Sequence, residues 1–169
     1  LIAHVLKSSN RYVQMGGNIG IPLLELEMLG NGGVYVIEAS SYQLSLTQTL
    51  KPDIAVWLNI SPDHLEYHGS LKQYVKAKQN LFLAQGEEDQ IVIGVDDTPS
   101  RKICTELLSK SKAKVIPISS RRALASGVHV TGGILWDAIG DEAKQISNIK
   151  QTFLSLQGKH NAQNVAAAY

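Results

Sequence analysis

The chain of 169 residues is 44% hydrophobic and 18% charged, which is typical of a globular domain with one sizeable core. Its 16 Lys and Arg residues against 15 Asp and Glu residues give a formal net charge of +1, so no electrostatic argument favours binding to nucleic acid or to an anionic membrane. Cys104 is the single cysteine, which excludes an internal disulfide and favours a reducing compartment. No apolar run reaches the roughly 20 residues that span a bilayer, and we therefore expect a cytoplasmic protein.

The predicted elements alternate between helices and strands. The sequence opens in the later turns of an amphipathic helix, and the Gly-rich turn MGGNIGIP then precedes a helical stretch around LLELEML. Four apolar segments are typical of buried strands, and they lie at Val34–Glu38, 52–60, 90–97 and 113–119. Helices are predicted at 70–85 and 100–110. This alternation predicts an α/β fold in which a doubly wound, mostly parallel sheet is flanked by helices.

The C-terminal part of the chain has a different pattern from Gly127 onward. Short alternating segments with Gly turns, at 127–140 and 151–158, predict antiparallel strands at the edge of the sheet. The segment GKHNAQNVAAAY predicts the start of a further helix. Because helical patterns run into both ends of the chain, we expect the sequence to be part of a longer protein.

Polar residues follow three of the predicted strands, at the carboxyl ends where ligands usually bind in a sheet of this kind. These residues are Glu38 to Ser41, Asn59 to His64, and Asp96 with Asp97. We interpret Asp96 and Asp97 as turn and helix-capping residues. For Glu38 and His64 we favour a function, because a carboxylate that ends an apolar strand is costly unless it is paired or binds a metal. The imidazole could converge on the same cation.

The predicted helix at 70–85 carries a lysine on its apolar side. At 100° per residue its apolar side chains fall within an arc about a third of the circle wide. Lys78 lies near the middle of that arc, whereas Lys76 points the opposite way. One interpretation is a snorkelling lysine whose stem covers apolar surface. The other is a desolvated lysine whose lowered pKa makes it a neutral nucleophile, which could react with carbon dioxide to form a carbamate able to bind metal.

Two further segments carry candidate binding residues. GGNIG is a common kind of turn, and Asn18 could simply take a left-handed conformation there. Asn161 and Asn164 are three residues apart, so they share one face at the start of the last helix. One of them could cap the helix, or the two amides could hydrogen-bond a base or a phosphate.

Taken in this order, the segments resemble the Mur ligases over nearly the whole chain. The matching segments are GGNIGIP, VIEASSYQL, LNISPDHLEYHGS, YVKAKQNLF, VDD and GKHNAQNVAAA. PDHLEYHG with a downstream AK is shared by several Mur ligases and by their relatives, the folylpolyglutamate synthetases. The combination of GNIG with EASSYQL resembles the branch of the family that adds D-glutamate.

The resemblance implies roles for individual residues. Glu38 and His64 match the magnesium ligands of the family, and Lys78 matches the lysine whose carbamate supports a second magnesium ion. The residues that match contacts to the UDP-muramoyl substrate are Asn18, Ser40 and Gln43. Asn161 and Asn164 match the pair that contacts the nucleotide.

The resemblance also implies a reaction, with ATP and Mg²⁺ as cofactors. ATP phosphorylates the carboxylate of UDP-N-acetylmuramoyl-L-alanine, and the amine of D-glutamate then displaces phosphate to form an amide. Residues 1–169 would be the central ATP-binding domain of a monomeric enzyme. They would begin just after the phosphate loop and lack the N-terminal UDP-binding domain and the C-terminal domain. Two alternatives are another Mur ligase or a folylpolyglutamate synthetase, and a nucleotide-binding module without ligase activity.

Overall fold

The computed structural model describes residues 1–152 and 158–169, which alternate between helices and strands. The helices are α1 Ile2–Ser8, α2 Ser41–Leu46, α3 Leu65–His68, α4 Leu71–Gln79, α5 Thr98–Lys110, α6 Ile149–Thr152 and α7 Lys159–Ala168. The strands are β1 Val13–Gly17, β2 Val34–Glu38, β3 Ile54–Trp57, β4 Gln90–Gly94, β5 Lys114–Ser119, β6 Gly127–Thr131, β7 Ile134–Ala138 and β8 Lys144–Asn148.

The strands form two sheets. β1 and β2 pair in parallel as a two-stranded sheet. The second sheet has the order β3-β4-β5-β6-β7-β8, with parallel pairs as far as β6 and antiparallel pairs from β6 to β8. The prediction of an α/β fold with a mostly parallel sheet and antiparallel edge strands is therefore confirmed. The structure differs in separating β2 from β3, because no ladder joins these two strands within the described residues.

Two hydrophobic cores lie on opposite faces of the larger sheet. On one face, α4 and α5 pack against the first strands, and Tyr74 and Ile103 lie in the same buried cluster as Ile91 and Ile93. The side chain of Trp57 reaches across this core, where its Nε1 donates to Ser100 Oγ at 2.8 Å. On the other face, α7 buries small side chains against strands β5 to β7. Helices thus cover both faces, as a doubly wound sheet requires.

Several predicted helices and turns differ from the observed elements. The helical stretch around LLELEML is only a single 3₁₀ turn, Leu23–Glu25, and the leucines within that turn are exposed. The polar residues that follow β2, for which no helix was predicted, begin a short helix, α2. The helix predicted at 70–85 ends as an α-helix at Gln79 and continues as a 3₁₀ turn over Asn80–Phe82.

The strand predictions also need correction at both ends. The Gly-rich turn begins inside a strand, β1, which the sequence did not reveal. The strand predicted at 151–158 lies largely outside the described residues, and the antiparallel edge strand is Lys144–Asn148 instead. In the part of the chain that the structure describes, no helix has the length and apolar character needed to cross a membrane.

Cys104 is buried on the inner face of α5. Burial raises the pKa of its thiol, because an apolar environment disfavours the thiolate. The thiolate is the reactive form of cysteine, so this side chain is an inert core residue.

Candidate active site

His64 lies in the loop that leaves β3 and has a backbone conformation that is unusual for its residue type. Its φ is 50° and its ψ is 34°, in the left-handed region, where a residue other than glycine is uncommon. Asp63 stabilises this turn, because its Oδ1 accepts a hydrogen bond from the backbone N–H of His64 at 2.9 Å. The other oxygen, Oδ2, lies 3.5 Å from Nε2 of the same imidazole. The loop thus presents a carboxylate and an imidazole together.

Glu38 ends β2, and its neighbour in space is the Gly-rich turn after β1. The backbone N–H of Asn18 donates to the carbonyl of Glu38 at 2.8 Å. This close approach depends on Gly17, which has a φ of 112° and where an added Cβ would lie 2.3 Å from the same carbonyl oxygen. Asn18 itself is not in the left-handed region, so that interpretation of the turn is wrong. The Glu38 side chain is exposed, which also contradicts the argument that burial makes its charge costly.

Lys78 is half-buried on α4, whereas Lys76 is exposed on the opposite side of the same helix. Burial lowers the pKa of the Lys78 amine, and the carboxylates of Glu38 and Asp63 act in the opposite direction. Glu38 ends β2, and Asp63 lies in the loop that leaves β3. The Nζ atom also lies 5.5 Å from the centre of the Tyr74 ring. The prediction that the two lysines have opposite surroundings is confirmed.

Aromatic rings surround these polar groups. The Tyr42 ring lies 4.9 Å from the His64 ring and 4.5 Å from the Tyr67 ring, measured between centroids. Tyr74 contributes a further ring, 6.5 Å from that of His64. The Nε2 atom of His68 lies 3.0 Å from Oγ of Ser41, which joins α3 to α2. The segments that carry Glu38 and His64 are thereby held together.

The sequence did not single out Asp63 and Tyr74 as members of this site. Asp63 could have been found, because it immediately precedes His64 and follows a strand. Tyr74 precedes Lys78 by one helical turn, and residues four apart lie on the same side of a helix. Its apolar ring made it a core residue in the sequence, and it is buried. Its position between the lysine and the imidazole is visible only in three dimensions.

Ser40 and Gln43 form a capping box at the start of α2. Ser40 Oγ accepts from the backbone N–H of Gln43 at 3.3 Å, and Gln43 Oε1 accepts from the backbone N–H of Ser40 at 2.9 Å. Such a pair satisfies two N–H groups that the helix itself leaves without partners. The structure thus gives both residues a local role in the folded domain, and a role in substrate binding stays a prediction.

Asn161 and Asn164 lie on α7, which packs on the other face of the sheet. Gly158 occupies the N-cap position and no side chain caps the helix, so the interpretation of either asparagine as the cap is wrong.

Asp97 does cap a helix, because its Oδ1 accepts from the backbone N–H of Ser100 at 2.8 Å. Asp96, which follows β4, accepts hydrogen bonds from residues at the end of β5. The interpretation of Asp96 and Asp97 as turn and helix-capping residues is therefore confirmed.

The side chains that could bind a metal here suit Mg²⁺ only if Lys78 is modified. Within residues 1–152 and 158–169, no group of three or more His, Cys, Asp or Glu side chains is arranged to hold a metal ion. Glu38 and His64 supply an oxygen and a nitrogen, and Mg²⁺ prefers oxygen ligands. A carbamate on Lys78 would add two oxygens and reverse the charge of the group.

The fold and the site together define a class of ligand-binding α/β domain, in which polar side chains gather beyond the carboxyl ends of parallel strands. Comparison with protein families narrows this class, because the model of the Mur ligase middle domain matches residues 1–169. The chain belongs to the Mur ligase family and contains its middle domain.

Similar proteins include named ligases. A UDP-N-acetylmuramoylalanine–D-glutamate ligase from Phenylobacterium zucineum is 47% identical over 169 residues, which is 100% of this chain and 36% of that protein. Proteins with the same name in Caulobacter vibrioides and Rhodospirillum rubrum are 47% and 41% identical over the same length. The chain therefore spans about a third of the length of these relatives.

Solved structures share the fold at lower identity. A UDP-N-acetylmuramoyl-L-alanyl-D-glutamate–2,6-diaminopimelate ligase superposes with a TM-score of 0.67 and 22% identity, covering 99% of this chain and 38% of that one. MurF ligase from Thermotoga maritima, in complex with ADP, gives a TM-score of 0.61 and 19% identity, covering 99% of this chain and 40% of that one. At these identities the likeness establishes the fold alone.

Proposed function

We propose that the intact protein is an ATP-dependent ligase that adds D-glutamate to UDP-N-acetylmuramoyl-L-alanine through an acyl phosphate. The observation that carries this proposal is Lys78, a half-buried lysine whose Nζ lies 5.5 Å from the centre of the Tyr74 ring. Burial lowers the pKa of its amine, and the carboxylates of Glu38 and Asp63 oppose that shift. The choice of D-glutamate is supported by relatives of 40–47% identity that carry this activity in their names. We further propose that the protein acts as a monomer in the cytoplasm, where ATP is available.

In this proposal Glu38, His64 and the Lys78 carbamate hold magnesium. When bound, the metal would offset negative charge on the transferring phosphoryl group. Asp63 keeps the His64 imidazole in place through the hydrogen bond to its backbone. Burial lowers the pKa of the Lys78 amine, which favours the neutral form that reacts with carbon dioxide.

The remaining candidate residues bind the substrates. Asn18 adjoins Glu38, so a UDP-muramoyl substrate held there would lie beside the metal ligands. Ser40 and Gln43 lie just beyond Glu38 in the chain, and contact with the substrate would compete with the hydrogen bonds that they exchange in the capping box. Asn161 and Asn164 contact the nucleotide in this proposal.

The other parts of the enzyme lie outside these 169 residues in this proposal. The chain spans 36% of the relative from Phenylobacterium zucineum. We propose that a phosphate loop precedes Leu1 and that an N-terminal UDP-binding domain and a C-terminal domain complete the protein. Among the described residues β2 pairs only with β1 and β3 only with β4, so each has one edge without a strand partner, which is consistent with a further strand in the intact protein.

The test is the substrate dependence of the intact protein. We expect ADP and phosphate to form only when UDP-N-acetylmuramoyl-L-alanine, D-glutamate and ATP are all present. L-Lysine or diaminopimelate, offered with the next intermediate, serves as the control for the other branches. Faster turnover with one of these amino acids would assign the protein to another branch, and ATP binding without any ligation would favour the nucleotide-binding module.

A further inference from the structure

Gln163, on α7, is a buried amide that uses both of its ends to contact another element. It is 6% exposed. Its Nε2 donates to the backbone carbonyl of Leu58 at 3.0 Å. Its Oε1 accepts from Nδ2 of Asn59 at 3.3 Å. Both partners follow β3 directly, so the side chain joins α7 to the beginning of the loop that leads to His64.

The approach of α7 to this loop depends on a glycine in β4. An ideal Cβ added at Gly94 would lie 1.8 Å from the carbonyl oxygen of Leu58 and 2.6 Å from Nε2 of Gln163. Real Cβ atoms do not approach other atoms so closely, so any larger residue would push the helix or the loop away. Two separate features of the sequence, a glycine in one strand and a glutamine on a distant helix, therefore serve the same contact.

Gln163 lies beside the two asparagines of α7 that are proposed to contact the nucleotide, so this contact bears on nucleotide binding. Asn161 precedes it by two residues and Asn164 follows it by one. Ala162 and Ala166 fix the distance of the helix from the sheet, because both are buried in the core below. Packing of two small alanines allows sliding along the sheet, whereas two directional hydrogen bonds define the position of the helix along it.

We infer that Gln163 is a positioning residue that sets Asn161 and Asn164 relative to the loop of Asp63 and His64. This inference rests on the proposed function, in which the asparagines contact the nucleotide and the loop carries a magnesium ligand. ATP must reach both groups at once. An error in the placement of α7 would therefore weaken ATP binding before it affected the other substrates.

The test uses Gln163→Met in the intact protein, because methionine keeps the length and volume of the side chain and removes both hydrogen bonds. We expect the KM for ATP to rise about tenfold, the scale of a lost hydrogen-bonded contact in a buried site. The KM values for D-glutamate and the UDP substrate should stay within about twofold of the wild type. Asn59→Ala removes only one of the bonds, and it should raise the KM for ATP by a smaller factor.

These measurements separate positioning from stability. A variant that merely folds less well contains less active enzyme, which lowers the apparent kcat and leaves KM unchanged. An unchanged KM for ATP in folded Gln163→Met, or an equal rise of all three KM values, would overturn the inference. If Gln163→Met does not fold, Asn59→Ala decides the question, because Asn59 is exposed.

A failure of the proposed function would be visible separately. A wild-type protein without ligation would contradict the ligase assignment before any variant is made. ATP affinity of the wild type and of Gln163→Met, measured by calorimetry, would then test the positioning role directly. Equal affinities, or no ATP binding by the wild type, would reject it.

Discussion

Lys76 and Lys78 have the same side chain on the same helix, yet their surroundings make them chemically different. Lys76 is exposed to solvent. Lys78 is half-buried, and burial lowers the pKa of its amine while Glu38 and Asp63 oppose that shift. A lowered pKa gives Lys78 more neutral amine at neutral pH, which is the form that attacks carbon dioxide. The pair therefore provides a variant and its matched control.

We predict that Lys78→Ala in the intact protein abolishes ligation, with a loss of at least about a thousandfold as expected for a group that organises the metal. Lys76→Ala should leave turnover nearly unchanged. Incubation with ¹³C-labelled bicarbonate should give a carbamate signal in the NMR spectrum of the wild type and of Lys76→Ala, but not of Lys78→Ala. Near-normal turnover of Lys78→Ala, or an inactive Lys76→Ala, would contradict the role assigned here.

At the scale of elements, Asp89 anchors the loop that enters β4. Its side chain accepts a hydrogen bond from the backbone N–H of Gly86 at 2.7 Å and forms an ion pair with Lys51, whose Nζ lies 3.1 Å away. The Gly86 hydrogen bond lowers the pKa of the carboxyl most, and Lys51 adds to that shift. A carboxylate with a depressed pKa in the folded state stabilises the fold above its unfolded pKa, and this contribution is lost as the pH falls through the folded pKa.

Asp89→Asn should therefore lower the melting temperature at pH 7. The difference from the wild type should begin to shrink as the pH falls below the ordinary aspartate pKa of 3.8, because the carboxyl of the unfolded wild type is protonated first, and it should vanish as the pH falls through the lowered pKa of the folded state. Asp53→Asn is the control, since Asp53 is an exposed aspartate at the start of the neighbouring strand. A difference that stays constant from pH 7 to pH 3, measured by thermal denaturation, would show that the charge of Asp89 is unimportant.

The elements differ in how much of them the sequence could predict. The strand Val34–Glu38 was predicted with its observed bounds, because four of its five residues have β-branched or aromatic side chains, which carry a strong local signal. The strand Val13–Gly17 was missed, because two of its five residues are glycine and its order comes from pairing with β2. α2 could have been found from Ser40 and Gln43, whose spacing is that of a capping box.

The candidate site shows the same division. Glu38, His64 and Lys78 were predicted as site residues from their types and from their places after strands or on a helical face, and their roles stay a prediction. The approach of the His64 ring to the rings of Tyr42 and Tyr74 depends on the packing of separate elements. The hydrogen bonds of Gln163 to the residues that follow β3 join positions more than a hundred residues apart. No local sequence pattern predicts such bonds.

At the scale of the whole molecule, the interruption between the two sheets is the main unusual feature. Among the described residues β2 pairs only with β1 and β3 pairs only with β4, so each strand has one edge without a strand partner. Apolar side chains are exposed on both strands, including Ile37 at 38% and Ile54 at 57%. Unpaired strand edges with apolar side chains favour pairing with another strand. We therefore propose that the intact protein pairs a further strand of its own with these edges of β2 and β3.

This proposal predicts different hydrogen exchange in the intact protein and in residues 1–169 alone. Peptides that contain Val34–Glu38 and Ile54–Trp57 should exchange more slowly in the intact protein, because a strand between them would supply acceptors for the outward N–H groups. A peptide that contains Lys114–Ser119 is the control, since that strand already has partners on both sides. Equal exchange of the edge strands in both proteins would rule out the inserted strand.

The burial of Cys104 makes this domain convenient for labelling. Its thiol is enclosed and its pKa is raised, so maleimide dyes should leave the folded wild-type domain almost unmodified. A cysteine introduced at an open position such as Leu24, which is 97% exposed, would then be the one reactive thiol among these 169 residues. A fluorophore attached there could report on ligands that bind near the Gly-rich turn, with no need to remove the native cysteine from the core.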